Sequence, residues 1–263
     1  NHFATGLDGI DIHNPGTALD RSGEPVPVPR ITGHIQRRWS ISTEEVRQLR
    51  QLTDNPIKFT VPGPFTMVQQ AQNDYYADIS DAAAAYALAV RAEMADLFDA
   101  GVDIVQLDEP YMQARPEEAE RYGVAALNTA LEGATGVTCV HICFGYAALI
   151  HDRPANGYSF LPQLKDACCN QISIETAQSN LDCSVLQSIP DQTILLGVLD
   201  LSTHEVETPQ MVVERVERAL PYINKERVVL APDCGLKYLP RDVSRRKLDA
   251  MVAGASLLRA RHS

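Results

Sequence analysis

Apolar residues in this 263-residue chain gather in short runs separated by helix-like stretches. From residue 57 onward the runs are IKFTV (57–61), VDIVQLD (102–108), VTCVHIC (137–143), QISIE (171–175), TILLGVLD (193–200) and RVVLAPD (227–233). They are rich in Val and Ile and continuous rather than alternating, the pattern of parallel strands covered on both faces. Helices with readable ends are predicted between them. Ser42, with Glu45 three residues on, forms a capping-box pattern before VRQLRQL. Ser80 and Asp81 open an alanine-rich run to Ala100, and Gly101 stops it. Thr208 and Pro209 read as an N-cap and a first-turn proline ahead of QMVVERVERAL.

Successive strand and helix units predict an α/β fold, either an open doubly wound sheet or a closed (β/α)8 TIM barrel. An open nucleotide-binding sheet usually carries a glycine-rich turn after a strand, and neither G-x-G-x-x-G nor G-x-x-x-x-G-K-[ST] occurs here. The barrel is favoured. Six strands are two short of it, and residues 8–35 (GIDIHNPG, PRITGHI) read as a hairpin or excursion. Because the chain opens on Asn1 rather than Met, the missing N-terminal strands are expected upstream. The expected organisation is one catalytic barrel domain over 1–263, with a hairpin and helix in 1–56 and six βα units in 57–263.

Charge and cysteine content narrow the partners. Lys and Arg number 23 against 34 Asp and Glu, a formal net charge of −11, which disfavours nucleic acid phosphates and anionic membranes. No apolar run approaches the roughly 20 residues that span a bilayer, and no basic and then apolar leader opens the chain, so a soluble, cytoplasmic protein is expected. Six cysteines are few for a secreted disulfide scaffold. Cys139, Cys183 and the Cys168–Cys169 pair are expected to be buried apolar residues.

Chemistry is expected at the C-terminal ends of the strands, where barrels build their active sites. His141 and Cys143 stand two apart in a strand and so project to one face. With Glu175 and Cys234, at two further strand ends, they have the composition of a zinc site: one imidazole, one carboxylate and two thiolates. Such a site carries about one negative charge when all three anions are ionised. That is poor for acidifying water but suited to binding a further thiol and holding it as thiolate. Thiol alkylation is the expected chemistry.

VQLDEP, HIC, SIE and APDCGLK, in this order and spacing, resemble the C-terminal catalytic barrel of cobalamin-independent methionine synthase, which transfers a methyl group to homocysteine. The resemblance covers about residues 57 to 253. It implies Zn²⁺ on His141, Cys143, Glu175 and Cys234, and a substrate site at Asp108 and the adjacent Glu109, with Asp108 holding the amino group of homocysteine. The implied donor is 5-methyltetrahydrofolate or a methylcorrinoid, free or protein-bound. The family's isoleucine-glycine-serine strand and its glutamate have no counterpart, nor does the separate N-terminal barrel of the long enzymes, so the chain resembles short single-barrel members. Gln70 stands where folate-using members carry a tryptophan; the only tryptophan is Trp39. Ser202 occupies the position of the family's catalytic histidine, and His204 nearby is the candidate replacement. Two rival readings are a thiol alkyltransferase of the epoxyalkane-coenzyme M type, which would need a basic pocket, and a non-catalytic zinc-binding barrel. Residues 144–160 (FGYAALIHDRPANGYSF) read as a lid, with Tyr146 and Tyr158 covering the thiol substrate.

Overall fold

The apolar runs from residue 57 onward all become parallel strands in the computed structural model, which describes residues 2–144 and 158–262. The chain divides into two units, Asn1–His141 with Asp166–Asn170, and Ile142–Lys165 with Gln171–Ser263.

The first unit opens with β1 (Leu7–Leu19) and β2 (Pro25–Arg37), the expected hairpin, antiparallel with two register shifts. Then follow α1 (Thr43–Arg50), β3 (Lys58–Pro62), α2 (Pro64–Gln69) and a two-residue β4 (Gln72–Asn73) that pairs with β2. After α3 (Ile79–Asp99) come β5 (Ile104–Asp108), the short α4 (Pro110–Ala114) and α5 (Pro116–Glu118), α6 (Val124–Leu131) and β6 (Val137–Ile142). Strands β3, β5 and β6 pair in parallel without slippage. Val105, Leu107 and Val140 are fully buried, as are Ala82, Ala87, Val90 and Leu97 of α3, which packs on β5 and α6. Burying this apolar face is the main source of stability available to such a layer.

The second unit holds β7 (Gln171–Ile174), β8 (Thr193–Leu199), α7 (Pro209–Ala219), β9 (Val228–Pro232) and α8 (Arg241–His262). β8 pairs in parallel with both β7 and β9. Its core joins Ile172, Ile174, Ile194, Leu196 and Val198 to Val212, Val213 and Val216 of α7.

Helix starts test the local reading. Thr208 caps α7 as expected, accepting from the Met211 N–H at 3.2 Å. For α3 the cap is Asp78, which accepts from Ser80, so Ser80 and Asp81 lie inside the helix. Ser42 is the N-cap residue of α1 but makes no side-chain cap bond. Buried Glu93 of α3 takes that role, accepting from the backbone of Ile41 and Ser42 while paired with Arg37 at 2.6 Å. A tertiary acceptor has replaced the local one. Among the described residues no helix is long and apolar enough to cross a membrane.

Candidate functional site

Strand β6 delivers His141, and Cys143 follows its last residue. His141 and Cys143 lie two positions apart and are 4% and 6% exposed. Cys234 follows the end of β9. One ligand atom from each of the three residues lies within 4.8 Å of the others, so one ion could reach all three. An imidazole and two thiols in a buried pocket are the donors zinc prefers, and the set fits that metal by its chemistry. Glu175 is not in this close group. It follows β7, is fully buried, and accepts from the Gln178 side chain at 2.6 Å.

Two residues of the second unit organise the ground around these ligands. Tyr158 is buried; its hydroxyl donates to the Ile142 carbonyl at 2.9 Å and accepts from the Glu175 N–H at 2.7 Å. It ties the end of β6 to the residue after β7. Burial first, then the charges of Glu175 and Cys143, push its hydroxyl well above the ordinary value, so it stays a donor. The Phe144 ring lies over it at 4.3 Å. The hydroxyl of Tyr158 is thus engaged by backbone, and most of the segment read as a lid lies outside the described residues. Tyr146 lies outside the described residues.

Asp233, next to Cys234, accepts from the backbone of Thr176, Ala177 and Gln178 at 2.7 to 3.2 Å, which shapes the loop leaving Glu175. Burial nonetheless pushes its carboxyl up to about 6, against these three hydrogen bonds. Gly197 makes room for it, since a Cβ there would stand 2.2 Å from Asp233 Oδ1. Neither contact has a local sequence signature.

In the first unit, Asp108 ends β5 directly opposite His141 in the β5–β6 register. A cavity of about 470 Å³ is lined by Asp108, Gln70, Thr66, Tyr111 and Arg21 among others. Two of the expected substrate residues thus share one space, together with an arginine of the hairpin turn that the sequence reading passed over. Glu109 has a different surrounding. It is fully buried, and its two oxygens accept from the backbone of Phe65 at 3.0 Å and Thr66 at 2.7 Å, the first turn of α2. Gly63 stands beside it, where a Cβ would come within 2.2 Å of the carboxyl. Burial pushes Glu109 up to about 7. The expected substrate-binding carboxyl is occupied by backbone.

Ser202 and His204 sit on the exposed bend after β8. Ser202 donates through its N–H and its hydroxyl to Asp200 Oδ1, at 2.8 and 2.6 Å. Fully buried Lys247 of α8 holds the base of this loop, donating to the Asp200 carbonyl at 2.8 Å, to Glu207 at 3.0 Å and to the Glu205 carbonyl. Arg215 completes the Glu207 pairing at 3.0 Å. Of the cysteines expected in the core, Cys139, Cys169 and Cys183 are buried, whereas Cys168 is exposed. Position on a connecting segment, just before β7, overrides its apolar character.

The parallel α/β fold with a His/Cys group at its strand ends defines a candidate metalloenzyme, and comparison with known proteins makes it specific. The model of the cobalamin-independent synthase catalytic domain matches residues 1–257. The methionine synthase of Saccharolobus solfataricus is 30% identical over 98% of this chain and 74% of its own, and that of Sulfurisphaera tokodaii 32% over 98% and 72%. A B12-independent methionine synthase from Shewanella sp. W3-18-1, solved with selenomethionine, superposes with a TM-score of 0.92 at 30% identity, over 98% of this chain and 78% of that one. A methyltransferase from Methanosarcina mazei, at 17% identity and a TM-score of 0.66, shares the fold. The chain belongs to the cobalamin-independent methionine synthase family and is a methyltransferase. The match begins at residue 1, so the hairpin, which the sequence motifs left outside the resemblance, is part of the family domain.

Proposed function

We propose that this chain acts in the cytoplasm as a zinc-dependent methyltransferase that converts homocysteine to methionine. The observation that carries the reading is the convergence of one imidazole and two thiol ligand atoms within 4.8 Å. His141, Cys143 and Cys234 would hold the metal, with Glu175, at the end of the neighbouring β7 run, as the fourth ligand. Bound zinc supplies positive charge that favours the thiolate form of the acceptor.

The remaining work falls to the chain's own groups. An amino acid acceptor carries an ammonium and a carboxylate, and the cavity holding Asp108 also receives Arg21, one group of each sign. That pairing favours homocysteine over a sulfonate thiol, which has no ammonium to offer Asp108. The acceptor thiolate attacks the methyl carbon, and the donor departs with the electron pair of the broken bond. Gln70 lines the same cavity and is assigned to the donor. Its amide lacks the aromatic face of a folate platform, so a methylcorrinoid suits it as well as methyltetrahydrofolate does. A departing folate takes up a proton, and exposed His204, beside Ser202 on the loop after β8, is assigned to deliver it. The Shewanella relative's selenomethionine, an analogue of methionine, supports the product class.

The test is methyl transfer to homocysteine by the zinc-loaded protein, with methyltetrahydrofolate and methylcobalamin offered in parallel and Cys234→Ser as control. Methionine from either donor, lost in the control, supports the reading. No methionine from either donor by fully loaded protein overturns it.

A further inference from the structure

We infer that Gln106 is a positioning residue for Asp108, and that a directed chain of hydrogen bonds from Lys58 through Cys139 sets its orientation. This rests on the reading of Asp108 as the group that receives the acceptor's ammonium.

The strand register places the parts. Thr60, Gln106 and Cys139 stand level across β3, β5 and β6, and one layer further on stand Pro62, Asp108 and His141. Gln106 and Asp108 are two apart in one strand and so share a face. Gln106 Nε2 donates to Asp108 Oδ1 at 2.7 Å. Its Oε1 accepts from the Cys139 thiol at 3.6 Å, and the Lys58 ammonium donates to the same sulfur at 3.4 Å. An ammonium can only donate, so it occupies the sulfur as acceptor and leaves the S–H for Gln106. The amide oxygen then faces Cys139, and the NH₂ group faces Asp108. Every link points the same way, from Lys58 to the carboxylate.

The consequence is a carboxylate held in one orientation before the substrate arrives. A side chain already ordered loses less freedom on binding, and a donor on one oxygen fixes the plane in which the other meets an ammonium. Asp108 does not touch the methyl group under this reading, so the effect of Gln106 belongs to acceptor binding rather than to the transfer step. The chain of bonds lies entirely within the first unit; Gln106 and Cys139 stand one layer below His141, and only its end, Asp108, stands level with that residue.

The test uses the zinc-loaded full chain and compares Gln106→Leu, Gln106→Glu, Cys139→Ala and Cys139→Ser with wild type, reading KM for homocysteine, KM for the donor, kcat and zinc content. Gln106→Leu is expected to raise the homocysteine KM about 10- to 100-fold, the range of a hydrogen bond to a charged group, with kcat changed less than about threefold and zinc content kept. Gln106→Glu keeps the size of the side chain but replaces the donor with a second carboxylate. It should raise the same KM, and it serves as the folding-safe variant. Cys139→Ala should raise it less, and Cys139→Ser, whose hydroxyl also donates and accepts, should restore it. An unchanged homocysteine KM in both Gln106 variants overturns the inference, as does a joint loss of kcat and zinc. Wild type that methylates homocysteine while the variants match it sinks this inference alone; wild type that never accepts homocysteine sinks the parent reading with it.

Discussion

Glu109 and Asp233 are both fully buried acids whose oxygens accept backbone N–H groups, and both follow a strand that ends at the candidate site. Burial outweighs those hydrogen bonds in each case, pushing Glu109 up to about 7 and Asp233 up to about 6. The folded chain therefore keeps protons that the unfolded chain releases near the ordinary carboxylate values, and stability falls as pH rises through this window. Above pH 6 Glu109 makes the larger contribution of the two. Urea midpoints at pH 6 and 7 should show wild type losing up to about 1 kcal/mol per pH unit, and Glu109→Gln, uncharged throughout, should lose this part of the slope. A second prediction concerns Tyr158. Replacing it with Phe removes only the hydroxyl, yet the Ile142 carbonyl loses a donor and the Glu175 N–H loses an acceptor. Urea unfolding should register a loss of about 2 kcal/mol, and competition with a chelator should show weaker zinc retention.

Elements show where local signals end. The boundaries of six strands were legible to within a residue or two, because a covered parallel strand must be apolar along its length. The cap of α7 was legible for the same kind of reason, since Thr208 acts within its own turn. The start of α1 was not, because its acceptor, Glu93, lies about 50 residues away on α3. The loop after β8 is a similar case. Its base depends on Lys247, an ordinary member of a helical pattern until the fold buries it against Glu207 and two carbonyls. Lys247→Met should destabilise the protein by about 3 kcal/mol, because Glu207 keeps the half-buried Arg215 but loses its fully buried cation. Faster amide exchange across 200–207 than elsewhere would confirm the clamp, and uniform exchange would remove it.

At the scale of the whole molecule, metal binding and folding are linked. The candidate ligands come from strand ends far apart in sequence, and a metal that binds only the folded arrangement stabilises it by mass action. Free zinc at about 100 times its dissociation constant should add about 2.7 kcal/mol, seen as a rise in Tm that a chelator reverses. Cys234→Ser should show a much smaller rise at the same zinc concentration. A Tm indifferent to both zinc and chelator would mean that the three donors do not act as one site.

The sequence by itself determined the parallel α/β class, the opening hairpin and the metal-ligand candidates, because each is written in local apolar patterning or in residue types that few other roles require. His141 and Cys143 were visible as a pair because two positions along one strand share a face, whatever the rest of the fold does. Tertiary structure decided what the neighbouring polar groups do. Glu109 turned from the substrate side to the backbone of α2, Tyr158 became a tether, and Gln106 acquired the Cys139 thiol on one side and Asp108 on the other. The physical reason is the same throughout: a polar side chain takes its role from the partners that burial brings to it, and those partners lie elsewhere in the chain.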